Sequence, residues 1–486
     1  MTTTAEPQPD APTLDRQHYL ITLALLTTAG ISFALMQTLV VPALPFFQRE
    51  FDTSASLVTW IASGFLLSSS ILTPILGKLG DQHGKAKLLV ISLTIFGLAS
   101  LGAAAAWNLP SLVVFRVIQG AGAAVFPLSF GIVRDEFPPE KIGVGIGTIS
   151  SVFGAGGGIG LVLSGVILEH LNWHWLFLIG AIPVLVSAAL IARFVPESPV
   201  KTPARADYPG AITLSLGLLA LLLAVTEGNT WGWTSAGVVG LVVVAVAMLV
   251  AWVRIERSVP EPMIDIAMLR RRGMALTNLI TFLVAFGMFA TFILLPNFVQ
   301  IPRGLPDEIA AALDFGFGAS PVAVGLFFVP SSIAMVIAGP LAGSLGQRFG
   351  PELPLRAGVA LIAVALALFA IAHDDRWMIY VWMTFLGVGI ASSFAALGSL
   401  VIANSPPAQT GAATGMNTIM RTIGGAFGAQ VSAAIITANT FRETEIPLER
   451  GFTIAFAMGA IVAVIALLPA LALRMPRRAA PAPAAG

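Results

Sequence analysis

The charged residues most able to do chemistry lie in one short polar stretch, Gly77–Lys87, between two long apolar runs. Asp81 is the single acid there, among three lysines and His83, so we expect it to have a specific partner. The glycines permit a tight reversal of the chain, and the lysines indicate a cytoplasmic membrane surface. A second charged group, Arg134–Lys141, ends the fourth apolar run, and its charges could close a gate with Asp81 or Lys85.

Arg116 lies inside the fourth apolar run and is followed by Gln119, Gly120 and Gly122. A charged side chain within the bilayer is costly and normally faces a cavity or a partner. The alternative is an arginine that reaches the interface or caps carbonyl groups, because Pro110 lies only a few residues before it. The two glycines would let a neighbouring backbone approach closely.

The fifth apolar run is rich in glycine, which gives a helix face that could pack tightly and bend. Ordinary packing of small residues explains the same pattern, and the two interpretations are compatible. The glycines that we assign to this motif are Gly154, Gly158, Gly160 and Gly165.

Uncharged polar side chains and phenylalanines in several runs predict a large apolar cavity between the halves of the chain. Such a cavity suits lipophilic or amphipathic ligands. The candidate cavity residues are Gln37, Asn278, Asn297, Gln300, Asn417, Arg421, Phe286 and Phe289.

The elements that must position these residues are membrane helices. Hydrophobic residues make up 56% of the 486 and charged residues only 10%, whereas a soluble domain has about 25% charged residues. A spanning helix needs about 20 apolar residues, and runs of about that length recur along the whole chain. We therefore predict an all-α integral membrane protein with fourteen spans. The runs fall near 19–45, 57–76, 88–106, 111–133, 142–168, 173–194, 210–226, 235–253, 273–299, 321–345, 354–372, 377–403, 411–437 and 451–473.

The spans are grouped as six, two and six, and an internal repeat supports this grouping. Gly343–Gly350 follows the second span of the last six and echoes Gly77–Gly84, with Gln347 where Asp81 stands. Parallel repeats of this kind hold substrate between the two halves. The predicted domains are a disordered tail (1–18), a six-helix bundle (19–195), a linker with two extra helices (196–272), a second six-helix bundle (273–474) and a disordered tail (475–486).

The distribution of charge predicts the orientation and excludes some function classes. Nineteen of the 26 lysines and arginines fall on the side of both termini, five on the other side and two within spans. This asymmetry predicts cytoplasmic termini. A net charge of +1 excludes nucleic-acid binding as the main role, and the absence of cysteine excludes a thiolate metal site. We predict no metal site and no cofactor.

Several of these segments resemble the signatures of the major facilitator superfamily. Gly77–Lys87 has the spacing G-x-L-x-D-x-x-G-K-x-K and is similar to the family's loop between helices two and three. The Arg116 segment resembles the fourth-helix signature, in which the arginine is associated with proton transfer. The fifth run resembles the glycine-rich antiporter signature, with Leu161 in place of the usual proline. Leu35–Pro45 resembles the first-helix signature of the fourteen-helix drug:proton antiporter branch, which typically has an aspartate where Met36 stands.

Three further segments fit that branch: Trp173–Phe177, Glu227–Trp233 and Glu261–Asp265. The resemblance implies a monomeric plasma-membrane transporter that exports lipophilic small molecules by alternating access and is not an enzyme. In the family, the first loop holds the outward-open state through contacts across the halves. We therefore expect Asp81 near the amino end of helix thirteen, around Thr410 and Gly411, where the helix dipole favours a carboxylate.

Two alternatives remain open. The chain could export a lipid or envelope component, or act as an uncoupled facilitator, and it could also be a receptor or scaffold without transport. Retention of the Gly77–Lys87 loop weighs against the last, and the lack of a G-x-x-x-x-G-K-[ST] loop speaks against an ATP-driven pump.

Proton coupling is constrained by the positions of the acids, because no carboxylate falls in the middle of any span. Met36 cannot titrate, so the candidates are Asp135 and Glu136, with Arg116 setting the local field, or there is no coupling. Helices seven and eight, near 210–226 and 235–253, are predicted to pack outside the two bundles.

Overall fold

A computed structural model describes residues 16–201, 207–302, 315–441 and 446–473. Residues 1–15 of the predicted N-terminal tail (1–18) lie outside the described residues, and so does the whole predicted C-terminal tail (475–486). Within the described ranges the chain is helical, apart from one isolated bridge between Thr440 and Pro447. Fourteen helices are long and apolar enough to cross a membrane, as predicted.

We number the fourteen spanning helices α1 to α14. Each satisfies its backbone hydrogen bonds internally, which hydrocarbon requires of a single spanning segment. Their bounds are α1 Arg16–Thr38, α2 Trp60–His83, α3 Lys85–Ala104, α4 Leu109–Glu136, α5 Ile142–His170, α6 Trp175–Phe194, α7 Tyr208–Trp231, α8 Ala236–Ser258, α9 Arg272–Gln300, α10 Pro321–Phe349, α11 Glu352–Ile371, α12 Arg376–Asn404, α13 Thr410–Thr437 and α14 Glu449–Ala472.

The turn between α2 and α3 is shorter than the polar stretch Gly77–Lys87 that was predicted to reverse the chain. Helix α2 continues through Gly77 and ends at His83, and α3 begins at Lys85. Only Gly84 makes the reversal, with φ of 113°, in the left-handed region that favours glycine. Its counterpart Gly350 ends α10 with φ of 91°. The repeat therefore shares its turn geometry.

Three other elements differ from the runs read in the sequence. The first run, near 19–45, is α1 followed by a separate short helix, Leu44–Glu50, that starts with Pro45 in its first turn. Helix α4 is interrupted by a 3-10 segment at Gly120–Ala124. Helix α7 extends to Trp231, so Glu227 lies within it rather than after it.

The first six and the last six helices each enclose an apolar core. The two groups meet along two main seams, one between α2 and α13 and the other between α5 and α10. One end of the bundle carries Lys78, Lys85, Arg134 and Arg348, and we call it the basic end.

Helix α8 lies at the periphery, as predicted, since its main contacts among the described helices are with α7 and the short helix Ile266–Arg270. Helix α7 has a second role. It packs on both α2 and α13 through an apolar cluster that includes Leu67, Leu218 and Ile423. One inserted helix therefore covers a seam between the halves.

Candidate functional site

Asp81 joins the two halves at the basic end, where its position was predicted. Its carboxylate is buried and accepts hydrogen bonds from the backbone N–H groups of Gly411 and Ala412, at 3.0 Å each. These groups begin α13 and have no partner inside that helix. The helix dipole adds a favourable interaction with the negative charge. We call this contact between Asp81, Gly411 and Ala412 the Asp81 latch.

Close backbone approach makes the latch possible. A Cβ atom on Gly77 would lie 2.5 Å from the carbonyl oxygen of Gly411, which is closer than atoms can approach. Gly415 packs in the same way against Pro74 on α2. These glycines set the distance at which the Asp81 carboxylate reaches α13.

A buried lysine connects the latch to the first six helices. The Lys85 ammonium lies 2.8 Å from an Asp135 carboxylate oxygen and 3.6 Å from Asp81. Ser198 donates a further hydrogen bond to Asp135. Both acids and Lys85 are almost fully buried, so loss of one partner would leave an uncompensated charge.

Glu197 caps the amino end of α3 in the same way as Asp81 caps that of α13. Its carboxylate accepts from the N–H groups of Ala86 at 3.1 Å and Lys87 at 3.0 Å, at the start of α3. The Glu197 carboxylate also fills the space beside Gly84. Sequence analysis missed Glu197 and Ser198, because they lie in the predicted linker (196–272), to which it assigned no contacts with the bundles.

Arg134 makes a second connection across the halves at the basic end. It donates to the Thr410 hydroxyl at 2.6 Å, to the Ser405 hydroxyl at 3.2 Å and to the Ser405 carbonyl at 3.2 Å. Neighbouring Glu136 is half-buried, and its Oε1 has no hydrogen-bond partner among the described residues. The predicted gating residues thus lie in one region, with Asp81 and Arg134 bridging the halves.

The seam between α5 and α10 is made of small residues. A Cβ atom on Gly143 would lie 2.6 Å from the Gly343 carbonyl oxygen, and one on Gly339 would lie 2.5 Å from that of Gly147. Among the predicted motif glycines, the Gly158 N–H donates to the Ser332 hydroxyl on α10 at 3.0 Å.

The other motif glycines divide between two neighbours. Gly165 also faces α10, at Val322, whereas Gly160 packs against Thr38 on α1. Gly154 lies in α5, but its surroundings are outside the described residues. The glycine-rich face of α5 is therefore shared between α1 and α10.

Arg116 is buried within the first six helices. Its guanidinium donates to the Ile61 carbonyl at 2.9 Å and to the Gln119 side chain at 2.7 Å, and it lies 4.2 Å from the centre of the Phe65 ring. It also reaches the Met36 carbonyl at 3.4 Å. The interpretation of an arginine that reaches the interface is therefore wrong, whereas that of one capping carbonyls fits these contacts.

The glycines after Arg116 serve close packing. Gly120 lies against Ser68 and Ser69 of α2, and Gly122 lies against the rings of Phe33 and Phe96. The expected close approach of a neighbouring backbone is found at Gly120, which lies against the Ser69 nitrogen, whereas Gly122 makes room for side-chain rings.

The candidate cavity residues do not form one cluster. Asn417 donates to Asn278 at 2.9 Å and to Thr281 at 2.8 Å, so this amide pair joins α13 to α9 within the last six helices. Asn297 and Gln300 are exposed and bond carbonyl groups of their own helix.

The remaining candidates have different surroundings. Phe286 is buried, with Gly428 against its carbonyl oxygen, and Phe289 packs against Gly425. Gln37 is half-buried. Arg421 lies between Phe126 of α4 and Phe394 of α12, which belong to different halves.

The sequence model of the Major Facilitator Superfamily matches residues 26–317 and 277–486, which together span nearly the whole chain. The chain belongs to this superfamily. The superfamily consists of membrane transporters, so the chain is a multi-pass transporter and not an enzyme.

Curated members of the superfamily are similar over most of their length. The tetracenomycin C resistance and export protein of Streptomyces glaucescens is 28% identical over 86% of this chain and 76% of that protein. Multidrug resistance protein 3 of Bacillus subtilis is 29% identical over 78% of this chain and 72% of that protein. The methyl viologen resistance protein of Salmonella typhimurium is 29% identical over 88% and 84%.

Solved structures of the superfamily share the fold. The human organic anion transporter MFSD10 superposes with a TM-score of 0.65 at 15% identity, over 93% of this chain and 99% of that one. A proton:xylose symporter superposes with a TM-score of 0.63 at 14% identity, over 93% of this chain and 95% of that one. These two similarities concern the fold alone.

Proposed function

We propose that this superfamily member exports lipophilic or amphipathic small molecules by alternating access. It is a transporter of the multidrug-efflux type, as the similarity to resistance and export proteins supports. The observation that carries the mechanism is the Asp81 latch, which bonds the two halves at the basic end through two backbone N–H groups, beside the contacts of Arg134. A contact of this size can form and break in each cycle while the two apolar cores stay intact.

The proposal includes an orientation. The basic end faces the cytoplasm of a plasma-membrane protein that acts as a single chain, with both termini on the same side because the number of spans is even. The chain has no cysteine, so Glu140→Cys at the basic end and Asp374→Cys at the opposite end are clean labelling sites. An impermeant maleimide added to intact cells should label only the second variant. Labelling of only the first would reverse the orientation.

Proton coupling through Glu136 is the second part of the proposal. Asp135 is held by Lys85 and Ser198, whereas Glu136 has a half-buried carboxylate with an unsatisfied oxygen among the described residues. Burial without a partner disfavours a charged group, so Glu136 is the better of the two candidates to exchange a proton during transport. An uncoupled facilitator is the competing mechanism, favoured by the position of every acid near a span end.

Transport of a broad panel of lipophilic compounds into energised inverted vesicles tests both parts. We expect uptake that falls at least about tenfold when the pH gradient is collapsed, and Glu136→Gln should abolish this dependence. Glu140→Gln, at an exposed position of the same region, is the matched control and should behave as the wild type. Uptake that does not depend on the pH gradient would show that the protein is an uncoupled facilitator. Absence of uptake for every compound would refute export.

A further inference from the structure

The two arginines inside the spans have different surroundings. Arg116 is 1% exposed, and its contacts lie within the first six helices. Arg421 keeps partial exposure although it lies near the middle of α13. Its guanidinium carbon is 5.4 Å from the centre of the Phe126 ring and 5.7 Å from that of Phe394. A side chain that contacts both halves and retains exposed surface lies at the edge of the space between them.

The depth of these residues matches that of a transport site. Arg421 is eleven residues from the start of α13, and Phe126 and Phe394 are each ten residues from the basic ends of α4 and α12. The helices are 28 or 29 residues long, or about 42 Å at 1.5 Å per residue, so each of the three residues lies within about 6 Å of the middle of its helix. Transporters built from repeats bind substrate near the midplane, where the repeats meet.

The acids of the spans lie far from this depth. Every Asp and Glu within the fourteen spanning helices falls in the first or last five residues of its helix. The Asp81 carboxylate bonds to α13 at Ala412, nine residues or about 14 Å along the helix from Arg421. The rings of Phe126 and Phe394 stabilise the guanidinium but carry no net charge. The middle of the space between the halves is therefore electropositive.

We propose that Arg421 binds the charged group of the substrate, so that this transporter prefers lipophilic anions to lipophilic cations. The preferred class is an aromatic or amphipathic molecule with a carboxylate or sulfonate group. This inference rests on the proposed function and specifies its substrate. The guanidinium forms charge-assisted hydrogen bonds with such a group, and the adjacent rings contact the apolar body. A cation of the same shape is repelled, and low polarity strengthens the repulsion.

Two pyrene probes of similar shape and opposite charge test the preference. Pyren-1-ylacetate and pyren-1-ylmethylammonium are titrated against the purified full-length protein, and binding is measured from the rise in unfolding temperature. We expect the wild type to bind the anion at least roughly tenfold more tightly, as a hydrogen bond to a charged group predicts. Arg421→Gln should remove the preference, and Arg421→Lys should keep most of it.

Arg348→Gln is the matched control, since it removes an exposed arginine of the basic end and should leave the preference unchanged. Equal binding of both probes, binding of neither, or a preference that survives Arg421→Gln would each overturn the inference. Vesicle transport separates the two proposals. Export of the cation in preference to the anion refutes the anion site alone, whereas binding of the anion without transport of any compound refutes the proposed function.

Discussion

The two main seams between the halves are built from different chemistry. At the seam of α2 and α13, Gly77 and Gly415 bring the two backbones into contact near the basic end, and a carboxylate there bonds two backbone N–H groups, supported by Lys85. At the seam of α5 and α10, glycines place two backbones in direct contact at several levels of the helices. The first seam has its charged contact at one end, whereas at the second seam backbone contact extends from the Gly143–Gly343 pair to the Val162–Gly325 pair. We therefore expect the first seam to open and close and the second to hold the halves together.

The two repeated loops show the same contrast on a smaller scale. Gly84 and Gly350 make the same type of turn, yet the residues at the equivalent position differ. Asp81 is buried and bonds the start of a helix, whereas Gln347 is exposed and donates to the Pro139 carbonyl at 2.9 Å. The two loops therefore share the backbone turn, but the acid at this position is present in the first loop, at the α2–α13 seam, and absent from the second.

The largest effect is expected from Gly339→Leu in α10. Its Cβ atom would lie 2.5 Å from the Gly147 carbonyl oxygen, and the backbone of α5 cannot move away without opening the seam. Overpacking of this kind costs about 1–3 kcal/mol or more, so we expect a several-fold loss of folded protein. Size-exclusion chromatography and the unfolding temperature in detergent measure it.

The matched control for that variant is Gly240→Leu, where nothing lies within 4 Å of the added Cβ atom. It should fold as the wild type does. If Gly339→Leu were equally stable, the α5–α10 seam would not be the cohesive one.

Asp81→Asn should have a smaller and different effect, on conformation rather than folding. The amide can accept only one of the two N–H bonds, and it loses the interaction with the α13 dipole and Lys85. Hydrogen bonds to charged groups contribute about 1.5–3 kcal/mol, so the closed state should lose about a factor of ten or more in population. Spin labels at His83→Cys and Ala403→Cys report the separation of the halves at the basic end.

In that experiment we expect longer distances in Asp81→Asn and lower transport, with unchanged yield. Glu140→Gln removes an exposed acid of the same region and should keep the wild-type distances. Identical distance distributions in Asp81→Asn and the wild type would remove the switching role from this seam.

The sequence predicted the spans from a local signal, because length and hydropathy mark a spanning helix. A lone acid among bases indicated only that Asp81 has a specific partner, and its position at the start of α13 was expected from the family resemblance. For Arg116 the sequence offered carbonyl capping as one interpretation but could not choose it, because the acceptors Ile61 and Met36 come from two other helices.

The cavity residues were predicted least well for a related reason. A polar side chain in a span satisfies its hydrogen bonds wherever a partner is nearest, so Asn417 pairs with Asn278, and Asn297 bonds its own helix. Glu197 shows the converse case, in which an ordinary loop acid caps a distant helix. Which helices are neighbours decides these outcomes, and the periodicity of one segment does not contain that information.

The smallest effect is expected from Gln347→Asp, which restores the acid that the second loop lacks. The Gln347 side chain packs beside Gly143, the second residue of α5, as Asp81 packs beside Gly411, the second residue of α13, but Gln347 is exposed whereas Asp81 is buried. A carboxylate at position 347 would lose the bond to the Pro139 carbonyl oxygen and would meet the start of α5 in water, where it gains little from the N–H groups and the helix dipole. An exposed neutral hydrogen bond contributes at most about 0.5–1.5 kcal/mol, and water replaces it, so transport should stay within about twofold of the wild type. Vesicle transport and the same spin-label pair measure the outcome. A tenfold change would mean that the second loop carries a latch of its own, and the assignment of switching to one seam would be wrong. An unchanged rate beside a strongly impaired Asp81→Asn would show that burial of the carboxylate at a helix amino terminus, and not the loop motif, makes the acid effective.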